Sequence, residues 1–237
     1  FGRMLVLDGM VMTTEIDEFI YHEMISHVAL FSHPHPERVL VVGGGDGGAI
    51  REIIKHDKVK EAVLAEIDER VIEVSKRYLP SISCGLSDPR VKINVTDGIR
   101  HVQERENYYD IILVDSTEPV GAAEGLFTRP FYQQIYKALK PDGMMVAQTE
   151  SPFVNEDLIK RIFDDISRIF TVTRLYQASI PTYPSGLWTF TLGSKKNDPL
   201  TAILQEKMPF KTRYYNFDIH KGAFLLPEIT RRLVNID

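Results

Sequence analysis

Val39-Leu40-Val41-Val42-Gly43-Gly44-Gly45-Asp46-Gly47-Gly48 is the stretch on which the fold turns. A continuous apolar run with no polar alternation reads as a β-strand buried on both faces, the environment of a parallel sheet. The glycines that follow satisfy G-x-G-x-x-G through Gly43, Gly45 and Gly48, and residues 49–56 continue with helical spacing. Strand, glycine turn and helix in that order are the opening of a nucleotide-binding βαβ unit. Downstream the alternation persists: strands over residues 62–65, 91–95, 109–114 and 144–148, and helices over 69–78, 98–104, 131–139 and 158–170. Residues 172–179 and 187–192 bracket Pro181-Thr182-Tyr183-Pro184-Ser185-Gly186 as an antiparallel closing pair. The fold class is α/β, a doubly wound and mostly parallel sheet whose ligands bind beyond the carboxyl ends of the strands.

Upstream, Asp8-Gly9 between short apolar runs signals a hairpin, with residues 10–12 as the return strand. Thr14 is expected to cap a helix that carries Ile20, Met24, Val28 and Phe31 and stops at His33-Pro34. This divides the chain into residues 1–14, the remnant of a small N-terminal β domain, and a Rossmann-like domain over 15–237. The chain opens on Phe1, not Met, with no signal-like segment behind it, and is expected to be a fragment of a longer protein.

The 237 residues suffice for one α/β domain of ordinary size, and 43% apolar with 26% charged residues excludes disordered and fibrous classes. No apolar run approaches the roughly 18 residues of a membrane span. A net charge of −5, from 33 acidic against 28 basic residues, disfavours a nucleic-acid binder. The lone Cys84 excludes a disulfide framework, fits a reducing compartment and is expected to be inert. His22 and His27 are five residues apart, about 140° around a helix, so the His22-Glu23…His27 run is no zinc site, and no metal is expected. His33 and His35 are expected to be solvated. Neither Ser116 nor Ser185 sits in a G-x-S-x-G elbow.

The strand ends carry acids. Glu66 closes the second strand of the alternation, where an acidic residue holds ribose hydroxyls. Asp46 lies inside the glycine turn, where it repels phosphate and attracts a cation. Asp97, Asp115 and Glu118 follow the next two strands, and no Lys or Arg intervenes from Asp115 to Arg129. This charge pattern points to an adenosyl compound bearing positive charge and away from a phosphate-rich cofactor such as NAD.

These segments, Gly43–Gly48, Glu66-Ile67-Asp68, Asp97-Gly98, Asp115-Ser116-Thr117-Glu118-Pro119 and Ile180–Gly186, together with Leu7-Asp8-Gly9 and Asp17-Glu18-Phe19-Ile20-Tyr21-His22-Glu23-Met24, strongly resemble the spermidine synthase (polyamine aminopropyltransferase) family over essentially the whole chain. The resemblance implies a sheet of the S-adenosylmethionine-dependent methyltransferase type. It implies transfer of an aminopropyl group from decarboxylated S-adenosylmethionine, a co-substrate and not a cofactor, to putrescine, giving spermidine and 5′-methylthioadenosine. Asp115 matches the catalytic base. Tyr21, His22, Asp115, Ser116, Thr117, Glu118 and Tyr183 match diamine positions. Gly43, Gly45, Asp46, Gly48, Glu66, Asp97, Gly98 and Ala122 match nucleoside positions. Glu118 replaces the family's aspartate, Ala122 a frequent proline and Met12 a frequent glutamine. The resemblance further implies a cytoplasmic homodimer or homotetramer, for which the apolar stretch at residues 219–226 is a candidate contact. Residues 115–129, with Gly121 and Gly125 as hinges, are expected to gate the crevice. The rigid loop around Tyr183 is expected to present that ring outward. The alternatives are an S-adenosylmethionine-dependent N-methyltransferase acting on a diamine, a non-catalytic dimerising relative, and an NAD-dependent oxidoreductase.

Overall fold

The structure, a computed structural model, describes residues 1–117, 121–204 and 207–234, without the side chain of Ala122. Glu118, named above as a diamine position, lies outside the described residues, as do residues 119 and 120 of the expected gating segment. A hairpin of β1 (Met4–Leu7) and β2 (Met10–Thr14) precedes α1 (Glu18–Ser32). Asp8 and Gly9 turn it with φ of +50° and +83°, the left-handed pair that a two-residue hairpin demands.

The alternating units follow as β3 (Arg38–Gly43), α2 (Gly48–Ile53), β4 (Glu61–Glu66), α3 (Glu69–Tyr78), α4 (Pro80–Ser83), β5 (Val91–Val95), α5 (Gly98–Gln103) and β6 (Tyr109–Asp115). After a 3-10 segment (Gly121–Phe127) come α6 (Arg129–Ala138), β7 (Leu139–Gln148), α7 (Glu156–Ser167), β8 (Val172–Ser179) and β9 (Leu187–Ser194), with short helices α8 (Phe217–Gly222) and α9 (Glu228–Arg231) near the end. Seven strands form one sheet in the order β5-β4-β3-β6-β7-β9-β8. The first five run parallel, while β9 is antiparallel to both β7 and β8. The strand order reverses between β3 and β6, so the turns after these two strands flank the crevice of the switch point.

The pleat of β3 explains its unbroken hydrophobicity. Val39 and Val41 face α1 and α2, whereas Leu40 and Val42 face the core built with α5, α6 and α7. β7 begins earlier than the sequence pattern indicates. Between the pairs Tyr109–Leu139 and Ile111–Met144 the register shifts, and Pro141-Asp142-Gly143 fall in that bulge, where proline is tolerated.

Two local expectations change. Thr14 does not cap α1; it ends β2 and donates its hydroxyl to Asp17 Oδ1 at 2.7 Å. Of residues 219–226, Ile219, Ala223 and Phe224 pack into the core of their own chain, while Leu225 is exposed. That stretch is therefore chiefly an internal contact. Just upstream of it, the buried carboxylate of Glu23 of α1 accepts the backbone N–H groups of Arg213, Tyr214 and Tyr215 at 2.7–2.8 Å. Glu23→Ala strands three donors and should lower unfolding free energy by roughly 2–5 kcal/mol in urea titration, with Glu23→Gln intermediate. A loss below about 1 kcal/mol in both variants would contradict this clamp.

Candidate active site

Beyond the carboxyl ends of β3, β4, β6 and β7 lies a cavity of about 540 Å³. Its walls include Tyr21 and His22, the turn Gly43–Asp46, Glu66, Asp97, Gly98, Asp115, Ser116, Thr117 and Tyr183. Of the expected site residues, all but Gly48, Glu118 and Ala122 line this one cavity; Glu118 and the Ala122 side chain lie outside the described residues. Gly48 borders it through His22, and Asp97 caps α5 by accepting Ile99 N–H at 2.8 Å.

The glycine turn is filled with the protein's own acids. Gly45 N–H donates to Glu66 Oε2 at 3.0 Å, and Gly48 N–H to Asp46 Oδ1 at 2.7 Å. These are donors that in a dinucleotide site cradle phosphate. Here carboxylates already hold them, so the turn is closed to an anion and open to hydroxyls and cations. Glu66 also accepts Asp68 N–H at 2.9 Å; burial still pushes its carboxyl upward against those bonds. A Cβ on Gly48 would stand 2.2 Å from the His22 ring, so glycine there makes room for that imidazole.

His22 is sandwiched between carboxylates, with Nδ1 2.6 Å from Glu18 Oε2 and Nε2 3.4 Å from Asp46 Oδ2. Burial opposes its charge, but Asp46 and Glu18 overcome it and hold the ring protonated well above its ordinary value. Arg51 grips Glu18 through both terminal nitrogens at 2.8–2.9 Å. Against the cost of burial, His22 and Arg51 hold the Glu18 carboxyl down at about 2. The arrangement fixes Asp46 at the mouth of the turn.

Asp115 ends β6. Its Oδ1 accepts the Tyr21 hydroxyl at 2.6 Å, and its Oδ2 is buried without a hydrogen-bond partner among the described residues. Burial, with the Asp46 and Glu66 charges, raises its carboxyl from 3.8 to about 6, although His22 and Tyr21 act against the rise. A buried carboxylate with one oriented and one vacant oxygen is placed to take a proton.

Tyr183 does not point outward. Its hydroxyl donates to Met12 O at 2.7 Å, and its ring packs against Tyr21 and Trp188. Asp17 causes this by accepting Thr182 N–H and Oγ1–H, both at 2.7 Å, which staples the loop onto the start of α1. The hairpin contributes Leu5, Leu7, Met10 and Met12 to the cavity, β7 contributes Gln148, and Glu150 lines it two residues beyond that strand. Gln148 and Glu150 were missed, although position at a strand end, the signal that found the other acids, applies to them equally.

His33 is buried, contrary to the solvated reading, at the opposite end of the sheet beside Asp110 and Asp142. Lys140 already pairs with Asp110 at 2.8 Å. His33 Nδ1 accepts His35 N–H, which leaves the ring proton on Nε2, facing Asp142 at 3.7 Å. Burial holds the His33 ring below its ordinary value, so the close charge pair of this cluster is Lys140 with Asp110. His35 and Cys84 are exposed.

The family model of the spermine/spermidine synthase domain matches residues 18–203. The chain belongs to the spermine/spermidine synthase family. Polyamine aminopropyltransferases of Bacillus mycoides and Bacillus subtilis are each 59% identical to it over 234 residues, covering 99% of this chain and 85% of theirs. A crystal structure of a spermidine synthase in complex with the transition-state analogue AdoDATO superposes with a TM-score of 0.95 at 43% identity, covering 98% of this chain and 80% of that one. Spermidine synthase from Thermotoga maritima gives 0.92 at 43% identity, over 98% and 79%. The chain is thus of the polyamine aminopropyltransferase class, with the expected Rossmann-like fold and a small N-terminal sheet. Among the described residues no helix is long and apolar enough to cross a membrane.

Raising a carboxyl from 3.8 in the unfolded chain to about 6 has a stability consequence. The protonated group costs nothing below pH 3.8; the penalty grows as pH rises through about 6 and then levels off. Asp115→Asn should therefore be more stable than the parent at pH 8, by up to about 3 kcal/mol, and converge with it near pH 4. Urea titration at both pH values checks this; an Asn variant less stable at pH 8 would contradict it.

Proposed function

We propose that this aminopropyltransferase is a spermidine synthase, transferring the aminopropyl group of decarboxylated S-adenosylmethionine to putrescine. The observation that carries the reading is the pairing of an acid-filled glycine turn with a buried, elevated carboxylate at the next strand end. In this reading Glu66 accepts the ribose hydroxyls, Asp97 and Gly98 border the adenine, and Asp46 faces the aminopropyl ammonium. No cofactor enters the reaction.

The chemical difficulty is the acceptor. An alkylammonium with a pKa near 10.4 is neutral in only about one molecule in a thousand at pH 7, so freeing its lone pair costs roughly 4–5 kcal/mol. Asp115 takes the proton through its vacant Oδ2 as the nitrogen attacks. The new N–C bond forms at the methylene carbon attached to sulfur. The C–S bond breaks, its electron pair returns to sulfur, and neutral 5′-methylthioadenosine departs. Tyr21 orients the carboxylate through Oδ1, and Tyr183 walls the diamine channel. The remainder of the catalysis is alignment of nitrogen, carbon and sulfur for in-line displacement. Because the base acts ionised, turnover should rise with pH through about 6.

Asp115→Asn keeps the shape and loses the proton acceptor. Turnover of putrescine should fall by about 10²–10⁴-fold at pH 7 and recover in part at high pH, where more diamine is already neutral. Binding of 5′-methylthioadenosine should be unchanged by calorimetry, since Glu66, Asp97 and the glycine turn are untouched. Near-parent turnover at pH 7 would refute the base assignment.

A further inference from the structure

Glu150, two residues beyond the end of β7, is a buried acid of the cavity that the reaction described above leaves without a role. Its backbone is in the left-handed region at φ +70°, where a side-chain-bearing residue is strained. The chain is pinned there from both sides. Glu150 N–H donates to Gln148 Oε1 at 3.2 Å, and Glu150 O accepts Thr189 N–H and Oγ1–H at 2.9 Å. Strain of this kind persists where the surroundings over-determine it, and it concentrates where a side chain must be aimed.

The Glu150 side chain lines the same cavity as Asp115 and Tyr183. The carboxylate accepts Gln148 Nε2–H at Oε1 and Asn155 Nδ2–H at Oε2, both at 3.3 Å. Gln148 Nε2 also donates to Ser116 O at 3.1 Å, so one amide nitrogen bridges Glu150 to the residue after Asp115. Glu150 is among the charges, after burial and the Asp115, Asp46 and Asp17 carboxylates, that hold the Tyr183 phenol well above its ordinary value. Tyr183 and Trp188, with ring centroids 4.5 Å apart, form an aromatic wall of the same cavity. An acid, an aromatic wall and a base within one amide bridge of the acid suit a molecule with a cation at each end and methylenes between.

We infer that Glu150, oriented by Gln148, is a specificity-determining residue that binds the non-reacting ammonium of the diamine while Asp115 receives the proton of the reacting one. This inference rests on the spermidine synthase reading. The far ammonium stays charged throughout the reaction, so its partner contributes to acceptor binding and not to the chemical step.

The test compares putrescine, cadaverine and butylamine as acceptors for the parent, Glu150→Gln and Glu150→Asp, at fixed decarboxylated S-adenosylmethionine. Butylamine has the reacting amine and the four methylenes but no second charge. Glu150→Gln should raise the KM for putrescine by about 10- to 100-fold, the weight of one charge-assisted hydrogen bond, with that for butylamine unchanged. Glu150→Asp keeps the charge but retracts it by one methylene, so acceptor preference should move from putrescine toward cadaverine. That second variant carries the test if the first fails to fold by circular dichroism. An unchanged KM for putrescine in Glu150→Gln, an equal rise for both four-carbon amines, or no change of length preference in Glu150→Asp would overturn the inference. A parent that aminopropylates no amine would instead refute the functional reading, visibly in the parent's data alone, and this inference would fall with it.

Discussion

The close approach of β6's last residue to the glycine turn after β3 is the constraint on which the site depends. A Cβ on Gly43 would lie 2.3 Å from Asp115 O, and one on Gly44 2.6 Å from Asp115 Oδ2. Both glycines hold positive φ, +79° and +67°, a conformation that other residues rarely adopt. Only a turn without side chains lets the carboxylate sink against the backbone, lose water and rise to about 6. The same absence of side chains admits Glu66 at Gly45 and His22 at Gly48. A motif usually explained by phosphate contact is here explained by the bulk of the acids and the imidazole packed onto it.

Helix α1 carries the charge balance that makes so many buried acids tolerable. Signs alternate from Asp46 to His22, Glu18 and Arg51, and Arg51 Nε continues to Glu52 Oε1 at 2.8 Å. Glu52 then meets His27 at 3.1 Å, and His27 meets His56 at 3.0 Å. Burial, followed by the repulsion of His27, drives His56 down to about 2, so it stays neutral. A chain of this kind gives little net stability, because desolvation offsets attraction, but breaking one link leaves an uncompensated charge. Its value here is in position: it sets Asp46 and His22 in place before any ligand arrives.

The parallel sheet and the strand-end acids were legible because each depends on a few neighbouring residues. Apolar β3, its glycine turn, Glu66, Asp97 and Asp115 all occupy positions that strand–helix alternation assigns, and helix α3 follows its sequence pattern from Glu69 to Tyr78. The inward turn of Tyr183 was not legible, because it depends on Asp17, 165 residues from Thr182. Glu23 was read as part of a rejected metal pattern, whereas its partners lie some 190 residues away at Arg213–Tyr215. Burial of His33 likewise needed the three-dimensional meeting of the loop before β3 with the amino end of β6. The irregular start of β7 was hidden by Pro141-Asp142-Gly143, which in sequence looks like a turn and in the structure is a bulge.

The central claim is that carboxylates have converted an anion-binding turn into one that selects a cationic nucleoside. Calorimetric titration of the parent and of Asp46→Asn with decarboxylated and with intact S-adenosylmethionine tests it directly, since the two sulfonium ligands differ only by the carboxylate of the amino-acid tail. The account predicts tighter binding of the decarboxylated ligand by the parent, and a marked narrowing of that difference in Asp46→Asn. Equal or tighter binding of the intact ligand by the parent would contradict it and favour a methyl-transferring enzyme.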